Sequence, residues 1–142
     1  KLLSGITEFP ELNWGMRVKG FYVQPVPNLS IQEEFFAASP IFIKRTIENH
    51  QKHFTFKDQN VSDLLRETLI KKMNLANLNI SDFYIDFNQN YVKARTAKIT
   101  YKGIENRANL CSVIIKGDDE VKKFAWDVGI GNSTGIGFGA IY

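Results

Sequence analysis

The sequence predicts an α+β sandwich, two helices laid on one face of an antiparallel sheet, and three observations carry that prediction. Two segments, "NVSDLLRETLIKKM" (60–73) and "DDEVKKFAWDV" (118–128), combine helical apolar spacing with end signals. Short runs rich in β-branched and aromatic residues surround them, each bounded by Asn, Gly or Pro. The resulting order, β-α-β-β(β)-α-β, is that of a ferredoxin-like βαββαβ sandwich with an extended β-hairpin.

Taken in order, "MRVKGFYVQPV" (16–26) alternates and then meets Pro25, so it reads as a strand with a proline stop. A lone strand needs partners, and the first forty residues do not read as a complete domain, so an upstream portion is expected. "SPIFIKRTI" (39–47) reads as the next strand, followed by a polar connection through His50 and His53. The first helix takes Asn60 as N-cap and Asp63 at N3, buries Val61, Leu64, Leu65, Thr68 and Leu69, and ends on Lys71 and Lys72, where its dipole favours cations. "FYIDF" (83–87) is a short strand closed by Asn88–Gln89–Asn90. "YVKARTAKITYKG" and "ANLCSVIIKG" then form a long hairpin around "KGIENR". The second helix opens on Asp118, Asp119 and Glu120, spaces Val121, Phe124, Ala125 and Val128 along one face, and reaches Gly129 as its terminating glycine. A last strand is expected in "FGAIY" (138–142).

Composition narrows the function classes. The 44% apolar fraction and eleven Phe supply a core. No apolar run approaches the roughly 18 residues of a membrane span, and the opening "KLLSGITEFPEL" is too short in apolar length for a signal peptide. The one cysteine, Cys111, sits in the apolar run "LCSVII" and reads as a small core residue that fits a reducing cytoplasm. Net charge is only +3, yet residues 91–116 carry six cations against Glu105, and residues 41–75 carry seven against four acids. Positive charge concentrated in two segments suits an anionic ligand, although a solvated lysine-rich hairpin would look the same.

Five of the ten glycines fall in "GIGNSTGIGFG" (129–139). A dinucleotide or P-loop site needs glycines after a strand and before a helix, whose first N–H groups hold the phosphate. These follow a helix, only Ala140, Ile141 and Tyr142 come after them, and no Gly-Lys-Ser/Thr is present. A glycine loop between the last helix and last strand instead exposes backbone N–H groups in concave nests that accept anionic oxygens, with Asn132, Ser133 and Thr134 adding donors.

The pattern "WDVGIGNSTGIGFG" resembles the glycine-rich loop of the RAMP superfamily, and more narrowly that of the CRISPR-associated endoribonucleases that cut precursor CRISPR RNA within each repeat, the Cas-six group. "SPIFIKR", "DLLRETLIKKM" and "YKGIENRANLCSVIIKG" match further pieces, so the resemblance covers about residues 16–142. It implies two tandem ferredoxin-like domains, with residues 1–38 the end of the first plus a linker and 39–142 the RNA-binding second. It implies CRISPR repeat RNA as partner, and cleavage by ribose 2′-OH attack without metal or cofactor. A histidine on the first helix of the N-terminal domain usually assists, so no catalytic residue is assigned in this chain, and His50 and His53 read as exposed loop histidines. A non-catalytic guide-RNA-binding subunit of an effector complex and a metabolite-sensing module are the competing readings, with other effector subunits or a second copy as further partners.

By that resemblance Gly131, Asn132, Ser133, Thr134, Gly135, Gly137 and Gly139 contact an RNA backbone, and Gly129 only ends the helix. Lys93, Arg95, Lys98, Lys102 and Arg107 are phosphate contacts on the hairpin. Alternation puts Lys93 and Arg95 on one face, Lys98 and Lys102 on the other, with Lys102 and Arg107 at the tip. Lys44 and Arg45 point to opposite faces, so one of them at most faces a cleft. Tyr22, Tyr84, Tyr91 and Tyr101 are candidates for base stacking or for the core, and Trp126 lies off its helix's apolar stripe.

Overall fold

The computed structural model describes residues 25, 27–79 and 81–142, so the strand expected around Tyr22 lies outside the described residues. The elements are β1 (Glu34–Phe35), β2 (Ile43–Ile47), β3 (His50–Phe54), α1 (Val61–Leu75), β4 (Tyr84–Phe87), β5 (Arg95–Tyr101), β6 (Ile104–Leu110), β7 (Val113–Lys116) and α2 (Asp119–Val128), then one 3-10 turn at Thr134–Ile136.

The central sheet has β7 between β1 and β4, all antiparallel. Ala37 bridges Ile141 on the far side of β1, and Phe36 and Tyr142 exchange both backbone hydrogen bonds at 3.0 Å. The C-terminal segment, β1, β7 and β4 thus lie in the ferredoxin-like strand order, with β1–α1–β4 and β7–α2–C-terminus as its two halves.

This placement corrects the strand expected over 39–47. The first strand of the central sheet among the described residues is Glu34–Phe35, and residues 43–54 form a separate hairpin. A two-residue strand shows no period, and Glu34 carries a charge into the sheet. Its Oε1 accepts from Ser112 Oγ and Asn88 Nδ2, both at 2.7 Å, and these bonds hold its carboxyl below the usual range.

The connection through His50 and His53 is also a strand, paired with β2 from Ile43↔Phe54 to Ile47↔His50. Glu48 and Asn49 both take positive φ, 48° and 65°, the two-residue turn whose twist matches a hairpin. In the second hairpin Lys102 and Gly103 make the same kind of turn, at 50° and 77°. Residues 104–107 are therefore strand, and Arg107 pairs with Lys98 rather than standing at the tip.

Both helices form where expected. Helix α1 buries Val61, Leu65, Thr68, Leu69 and Met73, with Leu64 packed at the margin; Asn60 stands before it without a side-chain capping bond. Helix α2 buries Val121, Ala125 and, against expectation, Lys122, whose Nζ donates to the carbonyls of Leu29 and Ser30 at 3.3 and 3.2 Å. Phe124, Trp126 and Val128 pack at the margin of the main core. Cys111 is buried, and burial pushes its thiol up to about 11. Among the described residues no helix is long and apolar enough to cross a membrane.

Candidate nucleic-acid interface

The two hairpins and the glycine loop meet around Phe42 and Asn109. Asn109, fully buried, joins the hairpins: its Nδ2 donates to the carbonyls of Ile41 and Phe54, both at 3.1 Å, and its Oδ1 accepts the Phe56 N–H at 2.9 Å. A buried amide with three partners fixes the relative position of three segments, because leaving any of them unpaired carries a desolvation cost. Beside it Phe42, Ala108 and Phe138 form a second small core with Ile99 at its edge.

The glycine loop divides into an anchored and an open part. The Ile130 N–H donates to the Gly139 carbonyl at 2.8 Å, and the Gly139 N–H to the Pro40 carbonyl at 2.9 Å. A Cβ at Gly139 would collide with the Ile130 carbonyl, and one at Gly131 would lie 2.5 Å from the Phe42 carbonyl oxygen. These two glycines serve close packing inside the protein and are buried. Gly135 and Gly137, by contrast, are exposed with nothing within 4 Å of an added Cβ. The segment 133–137 is the part of the loop a ligand can approach. Ser133 and Thr134 are half-buried within it.

Asn132 continues the β2 edge as a strand would. Its N–H donates to the Phe42 carbonyl at 2.6 Å and its Oδ1 accepts the Lys44 N–H at 2.9 Å, so its acceptor is already engaged. Lys72 on α1 braces the loop from below, its Nζ donating to the Gly129 carbonyl at 2.8 Å and to Thr134 Oγ1 at 3.3 Å. Burial lowers this amine to about 8.

The cations separate into distinct places. Arg45 is committed inward: its guanidinium meets Glu67 Oε2 at 2.9 Å, the Leu64 carbonyl at 2.9 Å and Thr68 Oγ1 at 3.0 Å, with its side chain 20% exposed. It ties β2 to α1. Lys44 lies on the other face, its Nζ 5.7 Å from the Phe42 ring centre. Lys93 and Arg95 line a recess with Tyr91, Leu110 and Cys111, on the side away from Lys98 and Arg107. Lys102 stands at the tip over the Tyr101 ring. Tyr84 and Tyr101 are exposed, whereas Tyr91 packs on Phe36 at 5.8 Å.

Sequence reasoning missed His53 and Asn109. His53 is half-buried on β3, edge-on to Phe42 with ring centres 5.0 Å apart, and its Nδ1 accepts the Arg107 N–H at 3.2 Å. Burial first, then Lys44 and Arg107, hold its pKa below the ordinary histidine value. The available signals were Asn49, a residue that tolerates positive φ, ahead of "HQKHF", and a lone Asn entering an apolar run at "ANLCSVII".

The fold that carries this loop and these hairpins has counterparts among known proteins. The family model described as "CRISPR associated protein Cas6, C-terminal" matches residues 24–142. The chain belongs to this family. Among solved structures, one described as "CRISPR associated protein Cas6" superposes with a TM-score of 0.80 at 21% identity, over 98% of this chain and 60% of that one. A second, "An RAMP protein binding different RNA substrates", gives 0.79 at 21% identity over 99% and 61%. A third, "Characterization of a Cas6-related gene from Pyrococcus furiosus", gives 0.74 at 22% identity over 99% and 60%. At these identities the structures establish the fold the Cas6 C-terminal chain shares with them. The chain spans about three fifths of their length. No curated protein matches the sequence.

Proposed function

We propose that this chain is the RNA-holding C-terminal domain of an endoribonuclease that processes precursor CRISPR RNA. The observation that carries the reading is the divided glycine loop in a chain of the Cas6 C-terminal family. Packed glycines hold the loop against β2, and Gly135 and Gly137 stand open where an RNA backbone can approach at close range. Ser133 and Thr134 supply hydroxyl donors there. Lys44, Lys93, Arg95, Lys102 and Arg107 supply charge on the two hairpins and their flank, with Arg107 on the face away from Lys93 and Arg95. The solved structure described as an RAMP protein binding different RNA substrates supports the same ligand.

In the full-length protein the ribose 2′-OH attacks the adjacent phosphorus, its proton passing to a base. The bond to the 5′ oxygen breaks, leaving a 2′,3′-cyclic phosphate and a 5′-OH that takes up a proton. This domain's part is to hold the strand, so that the 2′-OH, the phosphorus and the departing 5′ oxygen, already in one molecule, are kept in line for the attack.

The test is binding and cleavage of a cognate repeat RNA in the presence of EDTA. The expected result is affinity that falls steeply with salt, and a product ending in a 2′,3′-cyclic phosphate. Salt-sensitive binding without cutting by the full-length protein would favour a guide-RNA-holding subunit, and no binding at low salt would refute both.

A further inference from the structure

The two hairpins enclose a second feature, a cleft of about 450 Å³ whose walls include Lys52, His53, Lys98, Glu105 and Arg107. Lys44 is the direct partner of His53 across β2 and β3, and Lys98 the direct partner of Arg107 across β5 and β6. Three cations, Lys52, Lys98 and Arg107, thus share the cleft with one carboxylate, Glu105, which reaches Lys98 Nζ at 3.2 Å.

His53 is fixed in this cleft from two sides, by the Phe42 ring and by the Arg107 N–H that its Nδ1 accepts. A ring nitrogen that accepts a hydrogen bond carries no proton, so the neutral imidazole keeps its hydrogen on Nε2. Burial and the cations Lys44 and Arg107 favour that neutral form. Among the described residues Nε2 has no hydrogen-bond partner, and His53 lines the cleft.

We propose that this cleft binds a phosphodiester of a single RNA strand, with Lys52, Lys98 and Arg107 neutralising its charge and His53 donating Nε2–H to a non-bridging oxygen. The inference rests on the RNA-holding reading above and adds a second grip to the loop's. A phosphodiester has acceptor oxygens only and one negative charge, which matches a cleft of cations and one fixed neutral donor. The two grips are neighbours: Phe42 contacts His53 at 5.0 Å on one side and Phe138 of the glycine loop at 5.2 Å on the other. One strand can therefore leave the open loop and enter the cleft within a few nucleotides. Glu105 competes with the phosphate for Lys98 and so weakens the grip.

The experiment measures affinity of the full-length protein for a fluorescein-labelled single-stranded repeat RNA across salt concentrations. Each contact to a single strand contributes about 0.7 to the slope of log K against log salt, so Lys52→Ala with Lys98→Ala lowers the slope by about 1.4. His53→Phe keeps a ring against Phe42 but removes the donor, and weakens binding about tenfold with the slope unchanged. His53→Gln, which retains an N–H, recovers part of that loss, and Glu105→Gln strengthens binding. If His53→Phe also lowers the melting temperature, the exposed pair Lys52 and Lys98 together with Glu105→Gln decide the matter.

An unchanged slope in the double lysine variant, while Gly135→Ala still weakens binding, overturns the cleft and leaves the RNA-holding reading intact. Inorganic phosphate binding in the cleft, with RNA affinity insensitive to every cleft variant, overturns it too. No RNA binding by the unsubstituted protein overturns both.

Discussion

Adding one methyl group to two glycines of the same loop should have opposite consequences. Gly139 has φ of 72°, and a Cβ there would collide with the Ile130 carbonyl. The left-handed conformation alone costs an alanine about 1–2 kcal/mol. Relieving the collision pulls apart the hydrogen bonds from Ile130 N–H to Gly139 and from Gly139 N–H to Pro40, each worth about 0.5–1.5 kcal/mol. Gly139→Ala is therefore expected to lose about 2–5 kcal/mol, which lowers the melting temperature of a chain this size by roughly 10 °C. Gly135 has ordinary φ and open space around it. Gly135→Ala should stabilise the fold by about 0.4–1 kcal/mol, because the unfolded chain loses more freedom than the folded one. The assay is thermal unfolding of both variants, followed by titration with repeat RNA. Gly135→Ala should melt slightly higher yet bind RNA about tenfold more weakly, since the methyl holds the RNA backbone away. Equal destabilisation by the two substitutions would refute the division of the loop. An unchanged RNA affinity in Gly135→Ala would refute the contact.

Three further outcomes follow from the same geometry. Asn109→Ala removes three buried side-chain hydrogen bonds and leaves the Phe56 N–H without its partner, so urea unfolding should show a loss of about 2–4 kcal/mol. Arg45→Ala should lower stability, because it removes the ties to Glu67, Leu64 and Thr68, and leave the salt slope unchanged. Lys102→Ala should do the reverse, with stability within about 0.5 kcal/mol and a slope smaller by about 0.7. Lys72 titrates at about 8 in the folded chain against 10.5 for the ordinary lysine, so between those values the unfolded chain binds the extra proton. Stability relative to Lys72→Met should therefore rise as pH increases from about 8 towards 10.5, and be flat below; a fall over that window, measured by urea titration at several pH values, would refute the burial argument.

The helices were legible because their signals are local. Val61, Leu65, Thr68 and Leu69 repeat on one face, Asp118 to Glu120 stand at the positive end of α2, and Gly129 terminates it; each signal needs only neighbours within a turn or two. The long hairpin was legible only in part: its first arm lies where expected, but its second arm is Ile104–Leu110, and Val113–Lys116, expected as the end of that arm, pairs with β1 and β4 in the central sheet. Strand β1 was not, because two residues carry no period and Glu34 is accommodated only by Asn88 and Ser112, 54 and 78 positions away. Lys122 in α2 gives no local hint of burial either, since its carbonyl partners at Leu29 and Ser30 lie 93 and 92 positions upstream.

The candidate interface divides along the same line. The sequence by itself determined that five glycines cluster after the last helix, that cations gather in two segments, and that the arrangement of the loop excludes a nucleotide cradle. Those are facts of order and composition. Which glycine packs and which stays open, which arginine is committed to a carboxylate, and whether a histidine meets a neighbouring hairpin were decided only by the tertiary structure. Each depends on a contact between residues far apart in the chain, Gly131 with Phe42, Arg45 with Glu67, His53 with Arg107, and no local pattern encodes that partner.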